Sequence, residues 1–342
     1  MNISFIFLFI PALIIMISGC AALQEKKDYK LPLELKTHYS TSNKQHPILR
    51  SGQIVVSESG NDYSLFFALF PERYSPFIHA GILVFVDGEP YVYEGLGSLP
   101  IFMGDTPTDA ITGKIHRRHL NHYLEVENYT SIYDLPDTID RSKVVEFALY
   151  NHQHETPFDP YMNSLNHEKL YCTEFVLEAL KAGGMTQQKL TPYRENKSLK
   201  IVHEWLKITD KTVIQAGSLI DPKKHIVTLS HNHSYREIQL YIATREELHR
   251  RFTKDQKLGN IFEWTGFRLK FRPSIAQFSD KAILLLKNNE HPSWKATQAA
   301  VRKLANEYWG VFTAEKTSQP SGLASNPALP CLNNNSAQTT SC

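Results

Sequence analysis

Three side chains in this sequence have types that could carry nucleophilic chemistry together: Cys172, His79 and Glu94. A thiolate attacks carbonyl carbon, and an imidazole takes and returns a proton near neutral pH. Cys172 is one of four cysteines, with Cys20, Cys331 and Cys342. They form no CxxC pair, so neither a zinc cage nor a thioredoxin-like motif has support, and no metal site is expected. Cys20 closes an apolar run at the start of the chain. Cys331 and Cys342 lie in a Ser-, Asn-, Pro-, Thr- and Gln-rich tail that reads as disordered, and such a tail cannot hold a nucleophile in place. They could pair with each other in an oxidising compartment, or both be free. Cys172 is the one cysteine inside the region that reads as folded.

A helix must carry Cys172. In HEKLYCTEFVLEALKAGG, the residues Cys172, Phe175, Val176, Ala179 and Leu180 follow the spacing of one buried helical face, and Gly183-Gly184 ends it. Cys172 then sits in the first turns, where the partial positive charge of a helix N-terminus favours thiolate. A hairpin must carry His79 and Glu94. Ile82 to Val86 reads as a strand, Asp87-Gly88 as a two-residue turn, and Tyr91 to Tyr93 as the return strand. With that turn Val86 faces Glu89, and continuing the pairing outward sets His79 opposite Leu96. His79, Glu94 and Leu96 then share one face. His79 and Glu94 are diagonal neighbours at ~7–8 Å between backbones, within reach of their side chains. A one-residue bulge would put Glu94 on the other face.

Each residue has a plainer reading. A cysteine on an apolar helix face is ordinarily a packed core residue, and a histidine at a strand start is ordinarily a satisfied structural group. Against this, Tyr171-Cys172-Thr173-Glu174 places polar groups around the thiol. Rival motifs fail. The three His-Glu dipeptides at His154, His167 and His203 lack a histidine four residues on, and no G-x-S-x-G elbow occurs. Glu94-Gly95-Leu96-Gly97 lacks the third glycine of a dinucleotide loop. His231-Asn232-His233 reads as surface rather than as a metal site.

Together, IHAGILVF, YVYEGLG, TPFDPYM and LYCTEFVLEAL resemble the circularly permuted NlpC/P60 papain-like proteins of the YaeF/YiiX type. The permutation puts the histidine before the cysteine, as here. Thr173 and Ile78 stand where that family commonly has serine. The resemblance covers roughly residues 51–221. It implies an α+β fold, a permuted papain-like domain with an antiparallel sheet packed on the cysteine helix. It also implies Cys172 as nucleophile, His79 as base and Glu94 as the group orienting the imidazole. Thr156–Asp159 matches a short strand leading into the cysteine helix, and Gly217–Pro222 resembles the closing segment. Backbone N–H groups around Tyr171 and Thr173 could stabilise an oxyanion.

The chain has 342 residues with 42% hydrophobic and 21% charged, a globular composition. Its net charge of +2 gives no reason to expect a nucleic acid partner. Residues Ile3 to Ile17 are almost wholly apolar but shorter than the ~20 residues of a spanning helix. They end in Ile17-Ser18-Gly19-Cys20, which resembles a bacterial lipobox, although no Lys or Arg precedes the run. The expected organisation is a signal peptide over 1–19, a tether over 20–50, the papain-like domain over 51–225, a C-terminal α/β extension over 226–317 and a disordered tail over 318–342. In the extension HIVTLS, EIQLYIA and GFRLKFRP read as strands. SWKATQAAVRKLANEYWG reads as an amphipathic helix capped by Ser293 and ended by Gly310. The extension reads as a packed addition to the main domain, with a lid or partner-docking unit as the alternative.

These readings give an exported cysteine hydrolase of the amidase or peptidase type, lipid-anchored through Cys20 at the bacterial outer membrane, facing the periplasm, without a cofactor. Its expected substrate is a peptidoglycan peptide or another amide. The alternatives are a lipid-directed thiol esterase or acyltransferase, with Phe66, Phe67, Phe70 and Phe77 lining an acyl pocket, and a non-catalytic envelope binding module.

Overall fold

The chain is seen here in a computed structural model that describes residues 37–39, 47–59, 62–97, 113–163, 167–187, 190–194, 200, 203–204, 208, 210–265 and 268–312. In chain order its elements are β1 (Thr37–Tyr39), β2 (Ile54–Glu58), α1 (Asp62–Leu69), β3 (His79–Val86), β4 (Glu89–Gly97), β5 (Gly113–His119), α2 (Leu120–Val126), β6 (Tyr129–Tyr133), α3 (Arg141–Gln153) and α4 (Cys172–Ala182). Then come β7 (Thr191–Pro192), β8 (Thr212–Val213), β9 (His225–Ser230), α5 (Tyr235–Arg251), β10 (Phe262–Thr265), β11 (Arg268–Phe271), α6 (Pro273–Ala282) and α7 (Trp294–Trp309). The expected signal peptide, Cys20 and the tail with Cys331 and Cys342 lie outside the described residues.

The Asp87-Gly88 turn has φ of 52° and 82°, the two positive values that a type I′ hairpin needs. Its twist matches that of the flanking strands, so Val86 pairs with Glu89 and the register runs unbroken to Ile82 and Tyr93. The sheet has seven strands in the order β1-β9-β6-β2-β3-β4-β5, all neighbours antiparallel. Helices α3 and α4 cover one face. There Ile54, Val56, Ile82, Val84 and Tyr93 meet Val144, Ala148, Phe175, Val176, Ala179 and Leu180. On the other face Val55, Leu83, Val92 and Val227 meet Leu120, Tyr123 and Leu124 around α2. With both faces covered, β2 is buried along its whole length. The fold is α+β, an antiparallel sheet packed on the cysteine helix.

Two sequence readings change here. EIQLYIA is part of helix α5, not a strand. Ser234 opens it with a capping box, its Oγ accepting from the Glu237 N–H while Glu237 accepts from the Ser234 N–H at 2.8 Å. The apolar alternation has a tertiary cause. Ile238 and Ile242 enter the sheet core, whereas Leu240, Ala243 and Leu248 enter a second core, so a helix buried on two sides mimics a strand. The expected strand at Thr156–Asp159 is reduced to one bridge between Pro157 and Lys114.

Other readings hold. HIVTLS is β9, RLKF is β11 and α7 starts at Ser293, whose Oγ accepts from the Ala296 N–H at 3.3 Å. β9 begins at the expected domain boundary and is an inner strand of the main sheet. Thr37–Tyr39, inside the expected tether, pairs with it as the edge strand. The second core joins Leu65, Ala68 and Leu69 of α1 to α5, α6 and α7. A buried ion pair, Arg245 to Glu58 at 2.7 Å, ties α5 to β2, and Arg245 also donates to Ser64 Oγ at 2.6 Å.

Candidate active site

The site lies where the ends of β3 and β4 meet the first residue of α4. Helix α4 reaches that position because Gly95 has no side chain. A Cβ there would lie 3.1 Å from the Leu170 carbonyl oxygen and 3.2 Å from the Cys172 nitrogen. Gly97 is equally confined, with a would-be Cβ 2.4 Å from Phe158 Cδ1. The glycines of the EGLG segment therefore serve close packing. Gly95→Ala must push the start of α4 away from β4. A displacement of a few tenths of an ångström at a reacting atom is expected to lower kcat/KM toward an activated ester by roughly 10- to 100-fold, with the folded far-UV dichroism spectrum retained.

Glu94 is fully buried, and its Oε2 lies 2.5 Å from His79 Nε2. That contact occupies Nε2, and the His79 ring and Cys172 line the same cavity. Burial alone would lower the His79 pKa. The charge and hydrogen bond of Cys172, then those of Glu94, outweigh it and hold the imidazole well above 6.5. Burial would likewise raise the Glu94 carboxyl, but hydrogen bonds and charge from His79 and Arg118 hold it below 4.5.

Arg118, on β5, is the part of the site that sequence reasoning missed. Its guanidinium forks onto Glu94, Nε donating to Oε1 and Nη2 donating to Oε2 at 2.8 Å. It lies over the Tyr123 ring at 4.6 Å and comes within 3.5 Å of Glu127 Oε1. Ser57 Oγ donates to Glu127 Oε2 at 3.1 Å and lies 2.7 Å from the Tyr123 hydroxyl. Burial raises the Glu127 carboxyl, and His79 and Arg118 pull it back only in part. Arg118 pairs with Val92, so it is the diagonal neighbour of Glu94, just as His79 is on the other side. The same arithmetic would have found it had a short turn fixed the register of β5.

Tyr171 and Thr173 are both buried, and Tyr171 is the N-cap of α4. Glu174 Oε1 lies 3.1 Å from His167 Nδ1. Burial, reinforced by Asp159, Glu178 and Asp210, pushes Glu174 up to about 8. The N–H groups of Cys172 and Thr173 belong to the first turn of α4, whose donors have no carbonyl partner within the helix. His231-Asn232-His233 forms the turn into α5, with the Asn232 and His233 N–H groups donating to Ser230 Oγ at 3.3 and 3.1 Å. Among the described residues no cluster of three or more His, Cys, Asp or Glu side chains is arranged to hold a metal ion.

Cys172 and His79 open onto a cavity of about 450 Å³. Phe67, Phe70 and Phe77 all line it; the side chain of Phe66 lies outside the described residues.

The chain is thus an α+β protein in which a thiol and an imidazole line one cavity and a buried carboxylate holds the imidazole from behind. No family model matches it, and no curated protein matches it. A solved structure that it resembles is the metalloprotein YiiX from Escherichia coli O157:H7, DUF1105. The identity is 16% and the TM-score 0.39, over 52% of this chain and 95% of that one. The likeness is one of fold over half the chain and assigns no residue a role.

Proposed function

We propose that the chain is a cysteine-dependent acyl-transfer hydrolase of the permuted papain-like type. The observation that carries this reading is the imidazole of His79, held by a buried carboxylate through Nε2 and lining one cavity with the Cys172 thiol. Cys172 is the nucleophile and His79 the acid and base. Glu94 fixes the ring and favours its protonated form. The Cys172 thiolate attacks a carbonyl carbon, the new S–C bond forms, and the carbonyl electron pair moves to oxygen. The N–H groups of Cys172 and Thr173 face that oxyanion. Collapse expels the amine or alcohol, which takes its proton from His79. The neutral ring then takes a proton from water, and the resulting hydroxide releases the acid and the thiolate.

The apolar run ending in Cys20 supports an exported, lipid-anchored location in a cell envelope. Peptidoglycan peptides and envelope esters are both within reach of such an enzyme.

Alkylation of the native protein by iodoacetamide at neutral pH, read at the Cys172 peptide by mass spectrometry, tests the reading. A nucleophilic Cys172 is expected to be alkylated faster than the same residue in His79→Ala. A Cys172 peptide that stays inert, or labels equally fast in His79→Ala, points instead to a non-catalytic binding shell. Glu94→Gln supplies the companion result. Removing a charge and a hydrogen bond that raise the His79 pKa must lower it. The alkaline limb of kcat/KM, which reports loss of the imidazolium proton, is therefore expected to move to lower pH. An unmoved limb would separate Glu94 from the titration.

A further inference from the structure

We infer that Glu127 is a positioning residue of this site, a second carboxylate that sustains the protonated imidazole of His79; this rests on the thiol chemistry proposed above. Glu127 is the C-cap residue of α2, where the backbone becomes extended on its way to β6. It lines the cavity together with His79, Cys172 and Arg118, yet is only 6% exposed. A carboxylate held out of water in this way costs free energy unless charge or hydrogen bonds answer it.

The hydrogen bonds around it run in one direction. Ser57 stands across the β2–β3 ladder from His79 and is fully buried. Its hydroxyl carries one proton, which goes to Glu127 Oε2 at 3.1 Å, so the Tyr123 hydroxyl at 2.7 Å must donate to Ser57 Oγ. The Tyr123 ring lies beside that of His79, with centroids 6.4 Å apart and planes at 28°, and Arg118 covers it at 4.6 Å. Tyrosine, serine and carboxylate thus form a chain beside the imidazole that ends on Glu127. The other Glu127 oxygen stays 3.5 Å from Arg118 Nη2, whereas that nitrogen donates to Glu94 Oε2 at 2.8 Å. Glu127 faces the cations of the site without drawing Arg118 off Glu94.

The charges give the consequence. Arg118 already offsets the charge of Glu94 through its forked ion pair. Glu127 brings a second negative charge, which a protonated His79 balances. The groups that face Glu127 are His79 on β3, Glu94 on β4, Arg118 on β5, Ser57 on β2 and Tyr123 on α2. Burial and Glu94 disfavour its anion, while His79, Arg118 and the Ser57 hydroxyl favour it. Coupling between two ionisations is mutual, so the Glu127 anion favours the imidazolium as strongly as the imidazolium favours the anion.

The test uses the purified full-length protein and follows kcat/KM for p-nitrophenyl acetate across pH, each value corrected with Cys172→Ala. Glu127→Gln keeps an acceptor for Ser57 and drops the charge. The alkaline limb, which reports loss of the imidazolium proton, is expected to move to lower pH by about half a unit or more. Glu127→Asp keeps the charge and is expected to leave the limb closer to its wild-type position. A role confined to packing would lower the rate and the urea midpoint in both variants without moving the limb. A limb unmoved in Glu127→Gln, or moved as far in Glu127→Asp, overturns the inference and leaves the thiol chemistry standing. Absence of Cys172-dependent turnover overturns the thiol chemistry. Titration of the His79 imidazole by NMR in Cys172→Ala, with and without Glu127→Gln, then judges Glu127 by itself. A lower imidazole pKa with the glutamine supports the inference, and an equal one overturns it.

Discussion

Cys172→Ala is expected to lower kcat/KM toward an activated ester by about 10⁴-fold or more while leaving the fold intact. The activity loss is large because the covalent route disappears with the sulfur. The remaining groups can still bind and polarise a carbonyl, but a triad that has lost its nucleophile retains only a small residue of its rate. The stability change is small because Cys172 is the first residue of α4 and partly exposed, whereas the buried contacts of that helix are made by Phe175, Val176, Ala179 and Leu180. A surface-proximal deletion of one sulfur is expected to cost within about 1 kcal/mol. The measurement pairs steady-state kinetics with urea unfolding and with intact mass after brief exposure to ester. Wild type should show a mass gain equal to the acyl group, located on the Cys172 peptide, and the variant none. A Cys172→Ala protein that keeps its esterase rate would remove Cys172 from the chemistry.

Arg118→Ala carries the second large effect, on stability and activity together. Glu94 has no exposure to solvent, and Arg118 supplies two of its hydrogen bonds. Deleting the guanidinium strands a carboxylate in the sheet interior with only His79 to answer its charge. Breaking a buried ion pair on one side typically costs about 3–5 kcal/mol. It also frees the carboxylate to rotate or take up a proton, and the imidazole loses its fixed partner. A fall in kcat/KM of about 100-fold is expected, the scale on which misplaced groups fail. The double variant Arg118→Ala with Glu94→Gln separates the two effects. With no charge left to strand, much of the lost stability should return, whereas the activity should not. Urea midpoints for the four proteins of the cycle decide the matter. A midpoint for Arg118→Ala equal to wild type would mean that water, not Arg118, balances Glu94.

Pairs of residues close in sequence were legible before any coordinates. The hairpin shows why. Asp87-Gly88 favours a two-residue turn with positive φ at both positions, and that geometry, once taken, fixes the partner of every residue from Val86 back to Ile82. The contact between His79 and Glu94 is a consequence of counting. The helix behind Cys172 was equally legible, since apolar side chains at its spacing bury one face and Gly183-Gly184 can close it. Reading failed where an element has two buried sides. Helix α5 lies between two cores, so its apolar residues do not form one stripe, and a helix looked like a strand.

What the chain determines by itself, then, is local: the turn, the faces of β3 and β4, the helix that starts at Cys172, and so the three side chains able to meet. Only the tertiary structure decided that Arg118 clamps Glu94, that Gly95 lets α4 rest against β4, and that α1 and the segment around Ile214 line the cavity onto which the thiol opens. The physical reason is range. A two-residue turn constrains its neighbours through backbone sterics alone, whereas pairings across long connections are set by which buried surfaces fit together, and no short stretch of sequence encodes that fit.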